Sequence, residues 1–188
     1  IRAATASGQE PQMGYPELAR LLRRAGVAIG GANMQDAREL FRRMVFNILI
    51  DNTDDHEKNH SLLVVSPFQH GRLRLAPAYD LLPTHSGQGY QEFICGKQGR
   101  DSTLDNAMSE CDAFGLTPVE AAAEVVRVVD VVNTWKLHFV EMGVRQRDIE
   151  SLAQQFDGEH LSQQRLGFEP GRFVAPTGKR PRKSPFKN

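Results

Sequence analysis

Apolar residues recur at helical spacing along much of the chain. The leucines between Pro16 and Gly26 predict a short amphipathic helix that begins near the proline and ends at the glycine. A second apolar stripe, from Leu40 to Leu49, follows Asp36, which together with Glu39 resembles a capping box at a helix start. These patterns predict two helices, one between Pro16 and Gly26 and one from about Asp36 to Leu49.

The second half of the chain contains the clearest helix start. Thr117, Pro118 and Glu120 supply a cap, a proline at the first helical position and the acidic residue that closes a capping box. The valine-rich stripe that follows predicts one long buried helix that reaches Met142, and a further helix is expected around Ile149. The predicted fold class is therefore mainly α, a helical bundle.

Two short β-type runs interrupt the helical pattern. The run at residues 61–65 and the run at residues 72–76 are separated by a turn with Pro67 and Gly71, which predicts a hairpin. Four glycines in residues 83–103 indicate a long mobile loop around one short strand, Tyr90 to Cys95.

Composition narrows the class of protein. The 188 residues contain 23 basic and 23 acidic side chains, so no overall charge favours nucleic acid or an anionic membrane as a direct partner. The two cysteines are too few for a disulfide framework, and neither a membrane span nor a signal peptide is visible, which predicts a cytoplasmic location. The predicted organisation is a loose lead-in at residues 1–14, one lobe at 15–165 and a basic, disordered tail at 166–188.

Three polar residues flank the predicted hairpin. Asn59 comes just before its first strand, Asp80 comes just after its second, and Asp54 lies five residues before Asn59. Because an antiparallel hairpin places the start of one strand beside the end of the other, Asn59 and Asp80 are expected to face the same volume. An amide oxygen and a carboxylate are suitable Mg²⁺ ligands when substrate phosphates and water complete the shell, and a nearby carboxylate can activate an attacking hydroxyl.

The segments Asn52–Asn59 and Leu75–Thr84 resemble the catalytic loop and the metal-binding motif of HipA-type kinases, toxins of bacterial toxin–antitoxin modules. This resemblance implies a kinase-like C-terminal lobe whose hairpin carries the active site, and transfer of the γ-phosphate of Mg-ATP to a Ser or Thr hydroxyl. It implies that Asp54 is the catalytic base and that Asn59 and Asp80 bind the metal. Neighbours of the nucleotide phosphates would be His56, Lys58 and Tyr79, besides Asn59 and Asp80.

The resemblance also implies partners. HipA-type kinases act with a small HipB-like helix-turn-helix antitoxin, through which they reach DNA, and their protein substrates include aminoacyl-tRNA synthetases. Such kinases need an N-terminal lobe with a phosphate-binding glycine-rich loop, and no segment before Asp54 has this pattern. The lobe is therefore expected from a removed segment or a separate chain, and the isolated chain is expected to lack activity.

Two other functions compete with the kinase. Without an N-terminal lobe the chain could be a non-catalytic, kinase-like binding module. His56, Glu57 and His60 also match the H-E-x-x-H pattern of zinc hydrolases, but the flanking residues favour a loop and a strand over the helix that this pattern requires. Asp54 and Asp55 could, finally, be ordinary solvated or capping residues of a polar loop.

Overall fold

The structure of the chain is a computed structural model that describes residues 13–66, 72–84 and 87–174. The described part is mainly helical with one antiparallel hairpin, which confirms the predicted fold class. Its elements are α1 (Tyr15–Ala25), α2 (Ala32–Leu49), β1 (Leu62–Ser66), β2 (Arg72–Leu75), α3 (Leu104–Met108), α4 (Pro118–Asn133), α5 (Trp135–Glu141), α6 (Gln146–Phe156) and α7 (Glu159–Gly167). Single 3₁₀ turns lie at Ile29–Gly31, Glu57–Asn59, Cys111–Phe114 and Pro170–Phe173. None of the described helices is long and apolar enough to cross a membrane.

Helix α2 lies at the centre of the main core and contacts α1, α3, α4 and β2. Its apolar stripe from Leu40 to Leu49 is fully buried, as its helical spacing predicted. Apolar faces of α1 and α4 pack against it in one contiguous cluster. A second, smaller cluster joins Ile50 to Trp135, Ile149 and Phe156, and so attaches α5 and α6 to the end of α2.

The predicted helix α1 is confirmed, and so is the capping box of α4, in which the side chains of Thr117 and Glu120 each accept a hydrogen bond from the other's backbone N–H. The prediction that the latter helix continues to Met142 is wrong. It ends at Asn133, and the hydroxyl of Thr134 donates to the Val131 carbonyl at 2.9 Å. The chain then changes direction, because Trp135 packs into the second cluster.

The predicted capping role of Asp36 is also wrong. Helix α2 begins one turn earlier, at Ala32, after Gly31 in the left-handed conformation. Asp36 lies inside the helix, and its carboxylate accepts hydrogen bonds from Arg74 Nε at 2.8 Å, Arg74 Nη2 at 3.1 Å and the Leu75 backbone N–H at 2.9 Å. The carboxylate therefore attaches β2 to α2.

The predicted hairpin is confirmed. Strands β1 and β2 pair with Leu62 opposite Leu75 and Val64 opposite Leu73, and the register shifts between Val64 and Ser66. This register places the residues before β1 beside the residues after β2.

The predicted strand from Tyr90 to Cys95 is wrong, because only isolated bridges occur in that segment. The segment nevertheless buries every second side chain: Gln91, Phe93 and Cys95. It follows the surface of other elements without a partner strand. One of its contacts is the hydrogen bond from the Glu92 N–H to the Thr53 carbonyl, at 3.0 Å.

Ordered structure extends past residue 165, where the lobe was predicted to end. Helix α7 continues to Gly167, and Phe168 and Phe173 pack against the main core. The remainder of the predicted basic tail, residues 175–188, and residues 1–12 of the predicted lead-in lie outside the described residues.

Candidate active site

The polar stretch begins where α2 ends. Asp51 adopts a left-handed conformation, with φ 57°, which turns the chain out of the helix. Its carbonyl accepts hydrogen bonds from the Thr84 N–H at 3.1 Å and the Thr84 hydroxyl at 2.7 Å. Its carboxylate accepts one from the Gly87 N–H at 3.1 Å. Asp51 therefore holds the loop against the segment that follows the hairpin.

Asp54 is the exposed residue of a turn whose other members are buried. The Asp55 N–H donates to the Asn52 carbonyl at 3.4 Å, so residues 52–55 form a turn with Asp54 at its third position. Asn52, Thr53 and Asp55 are all buried, whereas Asp54 is exposed. The turn therefore presents one carboxylate to solvent.

A buried hydrogen-bond network lies beneath this turn. The Tyr15 hydroxyl donates to Asp55 Oδ2 and accepts from Asn47 Nδ2 at 2.8 Å. Asn52 Nδ2 donates to Asn47 Oδ1 at 3.1 Å, and His60 Nε2 lies 3.0 Å from Asp55 Oδ2. Burial and the adjacent carboxylate of Asp55 raise the pKa of Tyr15 well above its usual value, so its hydroxyl stays protonated and serves as a donor.

The segment after β2 returns toward the same turn. The Ala76 N–H donates to the Ser61 carbonyl at 2.9 Å, which extends the pairing one step beyond the hairpin. The Tyr79 hydroxyl then donates to the Lys58 carbonyl at 2.6 Å and lies 2.8 Å from the Ser61 hydroxyl. Tyr79 thereby holds the segment before β1 next to the segment after β2.

Asp80 follows directly and reaches the loop through its backbone. Its carbonyl accepts a hydrogen bond from Asn52 Nδ2 at 3.3 Å, so Asp80 lies next to the turn that carries Asp54. It is exposed and adopts a left-handed φ of 57°. For an aspartate such a conformation is destabilising by about 1 kcal/mol or more, and surrounding contacts must maintain it.

The predicted site residues differ from their neighbours in the hydrogen bonds and ion pairs of their side chains. Within the described parts of the chain, the side chains of Asp54, Asn59 and Asp80 form no hydrogen bond or ion pair, although Asn59 is largely buried. The adjacent Asp51 and Asp55 are both engaged. Asn59 and Asp80 retain free oxygens of the kind that Mg²⁺ prefers, so the residues present fit this metal.

The other predicted nucleotide neighbours occupy the same segment. His56 is partly buried, and its Nδ1 has no partner in the described structure. Lys58 is exposed and forms no ion pair there. Tyr79 exposes 42% of its surface, while its hydroxyl is already used by Lys58 and Ser61. A contact between Tyr79 and a nucleotide would therefore involve its ring.

The zinc-hydrolase pattern does not form a zinc site. A single 3₁₀ turn, Glu57–Asn59, separates the two histidines, so they do not share one face of an α-helix. The side chain of His60 is only 2% exposed, and its Nε2 faces Asp55. Across residues 13–66, 72–84 and 87–174, no group of three or more His, Cys, Asp or Glu side chains could hold a metal ion.

Sequence reasoning missed the buried network. Tyr15 begins α1 and Asn47 lies within the apolar stripe of α2, so each reads locally as part of a helix. The single available signal was Asn47, a polar residue on a buried helical face. Asp55 was considered with Asp54 as a loop residue, but the structure separates them, because Asp55 is fully buried and Asp54 is exposed.

Comparison with known proteins agrees with this arrangement, a mainly helical fold with one antiparallel hairpin. Residues 2–135 match the HipA-like C-terminal domain family, and the chain belongs to this family. No curated protein sequence matches the chain significantly.

A solved structure shares the fold. It is a chain from the complex of HipA, HipB and operator DNA of the Shewanella oneidensis MR-1 toxin–antitoxin system. The TM-score is 0.62 at 15% sequence identity, and the match covers 88% of this chain and 39% of the solved chain. The chain thus spans well under half the length of that relative.

Proposed function

We propose that this chain forms the catalytic half of the active site of a HipA-type serine/threonine kinase. One observation carries this function: Asp54, Asn59 and Asp80 have unused side chains, while the residues around them are tied into the fold. Within the described residues, the side-chain amide of Asn59 is free to bind a ligand, although the residue as a whole is only 7% exposed. Membership of the HipA-like family supports the same function.

The chemistry follows from the residue types. Asp54, on its exposed turn, orients the Ser or Thr hydroxyl of a protein substrate and accepts its proton as the hydroxyl attacks the γ-phosphate. Asn59 and Asp80 would hold Mg²⁺, which neutralises charge on the phosphates of ATP. His56 and Lys58 lie between Asp54 and Asn59 in the chain and are proposed to contact the phosphates. Tyr79 keeps their segment in place through the Lys58 carbonyl.

The remaining parts of the active site are proposed to lie on an N-terminal lobe. Support comes from the solved relative, of which this chain covers 39%. A glycine-rich loop and the adenine pocket would be contributed by that lobe, in the same polypeptide or a separate one. We further propose a HipB-like helix-turn-helix antitoxin as partner, with DNA bound only through it, because the solved relative is in a complex with HipB and operator DNA. Aminoacyl-tRNA synthetases are the proposed substrate class.

The test is the variant Asp54→Ala in a protein that contains both this chain and its nucleotide-binding lobe. Loss of a general base should lower transfer of labelled γ-phosphate by about 10²-fold or more. The free energy of unfolding should change by about 0.5 kcal/mol or less, because the side chain is exposed and has no partner in the described structure.

The matched control is Asp130→Ala, which removes another exposed carboxylate from the surface of α4. It should leave transfer unchanged. Transfer by Asp54→Ala within a few-fold of the parent would remove Asp54 from this role. A parent that binds its antitoxin but transfers no phosphate would support the non-catalytic binding module instead.

A further inference from the structure

The turn that carries Asp54 is weakly defined by its own backbone. The one backbone hydrogen bond that closes the turn, from the Asp55 N–H to the Asn52 carbonyl, is 3.4 Å long, near the limit for such a bond. Backbone bonds to other segments also hold it: the Asn52 N–H donates to the Asn47 carbonyl at 2.9 Å, and the Thr53 carbonyl accepts from the Glu92 N–H at 3.0 Å. The side chains at both ends of the turn, by contrast, are buried and bonded. The position of Asp54 therefore depends on the contacts that hold the turn from outside, which include those of Thr53 with Thr84 and Glu92 and those of the side chains of Asn52 and Asp55.

One chain of side-chain hydrogen bonds joins these two ends. Asn52 donates to Asn47, Asn47 donates to the Tyr15 hydroxyl, and the Tyr15 hydroxyl donates to Asp55. Every link has one donor and one acceptor, so no group can reverse its role without breaking a bond. Asn52 also donates to the Asp80 carbonyl, which extends the chain to the second predicted site aspartate.

Tyr15 is the link that the rest of the fold holds most firmly. Its ring is fully buried and packs edge-to-face against Phe93, with centroids 4.9 Å apart, and against His60, at 5.0 Å. Its backbone N–H donates to the Ile94 carbonyl at 2.9 Å. The hydroxyl is therefore held at one point, where it closes the bridge between α2 and the turn.

We propose that Tyr15 is a positioning residue for phosphoryl transfer: its hydroxyl joins Asn47 to Asp55 and so fixes the turn that presents Asp54 beside Asp80. This role rests on the proposed function of Asp54 as the base. Tyr15 does not contact the substrate, and it acts only through the geometry of the turn.

A positioning role has a particular kinetic signature. A displacement of about 1 Å of a catalytic group can reduce the rate of transfer 10²-fold without changing how the nucleotide is held. Because Asp54 acts in the transfer step, loss of the Tyr15 hydroxyl should lower kcat and leave the KM for ATP nearly unchanged. A general loss of folded protein would instead lower the concentration of active enzyme and the unfolding midpoint together.

The experiment compares Tyr15→Phe with the parent in the protein that contains the nucleotide-binding lobe. Phenylalanine keeps the ring contacts with Phe93 and His60 and removes only the hydroxyl. The matched control is Tyr90→Phe, since the side chain of Tyr90 is partly exposed and forms no hydrogen bond within the described residues. We measure kcat, KM for ATP, the urea unfolding midpoint and amide hydrogen exchange of the peptide that contains residues 50–56.

We expect Tyr15→Phe to lower kcat by about tenfold or more, equivalent to about 1.4 kcal/mol, with KM for ATP within about twofold. Exchange in residues 50–56 should become faster, while exchange in α4 should stay unchanged. Asn47→Leu, which removes the bond to Tyr15 and also the bond from Asn52 with an apolar residue of similar size, interrupts the same chain, should have a similar effect and serves if Tyr15→Phe folds poorly. The double variant should be no slower than the worse single variant, because either change alone already interrupts the one chain of side-chain hydrogen bonds between Asn52 and Asp55.

The outcomes distinguish a failure of the proposed kinase function from a failure of the positioning role of Tyr15. If the parent shows no transfer that depends on Asp54, the proposed function is wrong and this inference falls with it. If the parent is active and Tyr15→Phe keeps its kcat, the inference alone is overturned. It is also overturned if kcat falls without faster exchange in residues 50–56, or if the effects of Tyr15→Phe and Asn47→Leu multiply.

Discussion

Replacement of Asp36 by alanine should weaken the attachment of the β1–β2 hairpin to α2. Asp36 is 6% exposed and accepts three hydrogen bonds, two from the Arg74 guanidinium and one from the Leu75 N–H. An aspartate inside a helix has a lower helix propensity than alanine. The three hydrogen bonds are therefore the stabilising contribution of the Asp36 carboxylate.

The three bonds contribute unequally to the free energy of unfolding. The Arg74 side chain is 40% exposed, so its ion pair is screened by water and contributes about 0–1 kcal/mol. The Leu75 N–H is buried, and loss of a carboxylate acceptor there is destabilising by about 1.5–3 kcal/mol. The higher helix propensity of alanine offsets about 0.5 kcal/mol. The backbone bond therefore dominates, and we expect Asp36→Ala to lower the free energy of unfolding by about 2 kcal/mol.

The measurement is urea-induced unfolding of the parent, Asp36→Ala and Arg74→Ala. Arg74→Ala removes the ion pair but leaves the bond between Asp36 and the Leu75 N–H, so it should be destabilising by less than about 1 kcal/mol. The reasoning is refuted if Arg74→Ala is as destabilising as Asp36→Ala. It is equally refuted if Asp36→Ala stays within about 0.5 kcal/mol of the parent, the range of an ordinary surface substitution.

Two further results are expected. Burial, together with the charge of Asp55, raises the pKa of the Cys95 thiol. In a Cys111→Ser background, Ellman's reagent at pH 8 should therefore label Cys95 only after unfolding in urea. Stoichiometric labelling of the native protein would contradict this burial. Protein purified without chelator should contain far less than one zinc per chain, and His60→Ala should lower the unfolding midpoint, because it breaks the buried contact with Asp55, without changing the metal content. Near-stoichiometric zinc that His60→Ala releases would restore the hydrolase alternative.

Features encoded by neighbouring residues were predictable from the sequence. The hairpin follows from two β-type runs around a turn, and its pairing places the Asp80 segment beside the segment before β1. The capping box of α4 depends on Thr117 and Glu120, three residues apart. The local motifs around Asp54 and Asp80 were sufficient to identify the family that the comparison confirms. The roles of the individual site residues remain predictions.

Other features were decided only when distant segments met. Tyr90 to Cys95 has the sequence of a strand, but within the described residues it forms only isolated bridges and no ladder with a neighbouring strand. Asp36 resembles a cap, yet its partners are Arg74 and Leu75, which lie far along the chain. The predicted long helix is interrupted at Thr134, and Trp135, which begins the next helix, packs in the second apolar cluster with the distant Ile50 and Phe156.

The support beneath Asp54 is the clearest case. Local sequence determined that a polar loop with Asp54 and Asn59 joins a buried helix to a hairpin, because helical spacing, turn residues and β-type runs act over a few positions. It did not determine which of the adjacent Asp54 and Asp55 would face solvent. Tyr15, 40 residues before Asp55, contributes to this together with His60, because its buried hydroxyl gives that carboxylate a hydrogen-bond donor inside the fold. A buried charge needs a partner, and only the packing of α1 against α2 brings this one within reach.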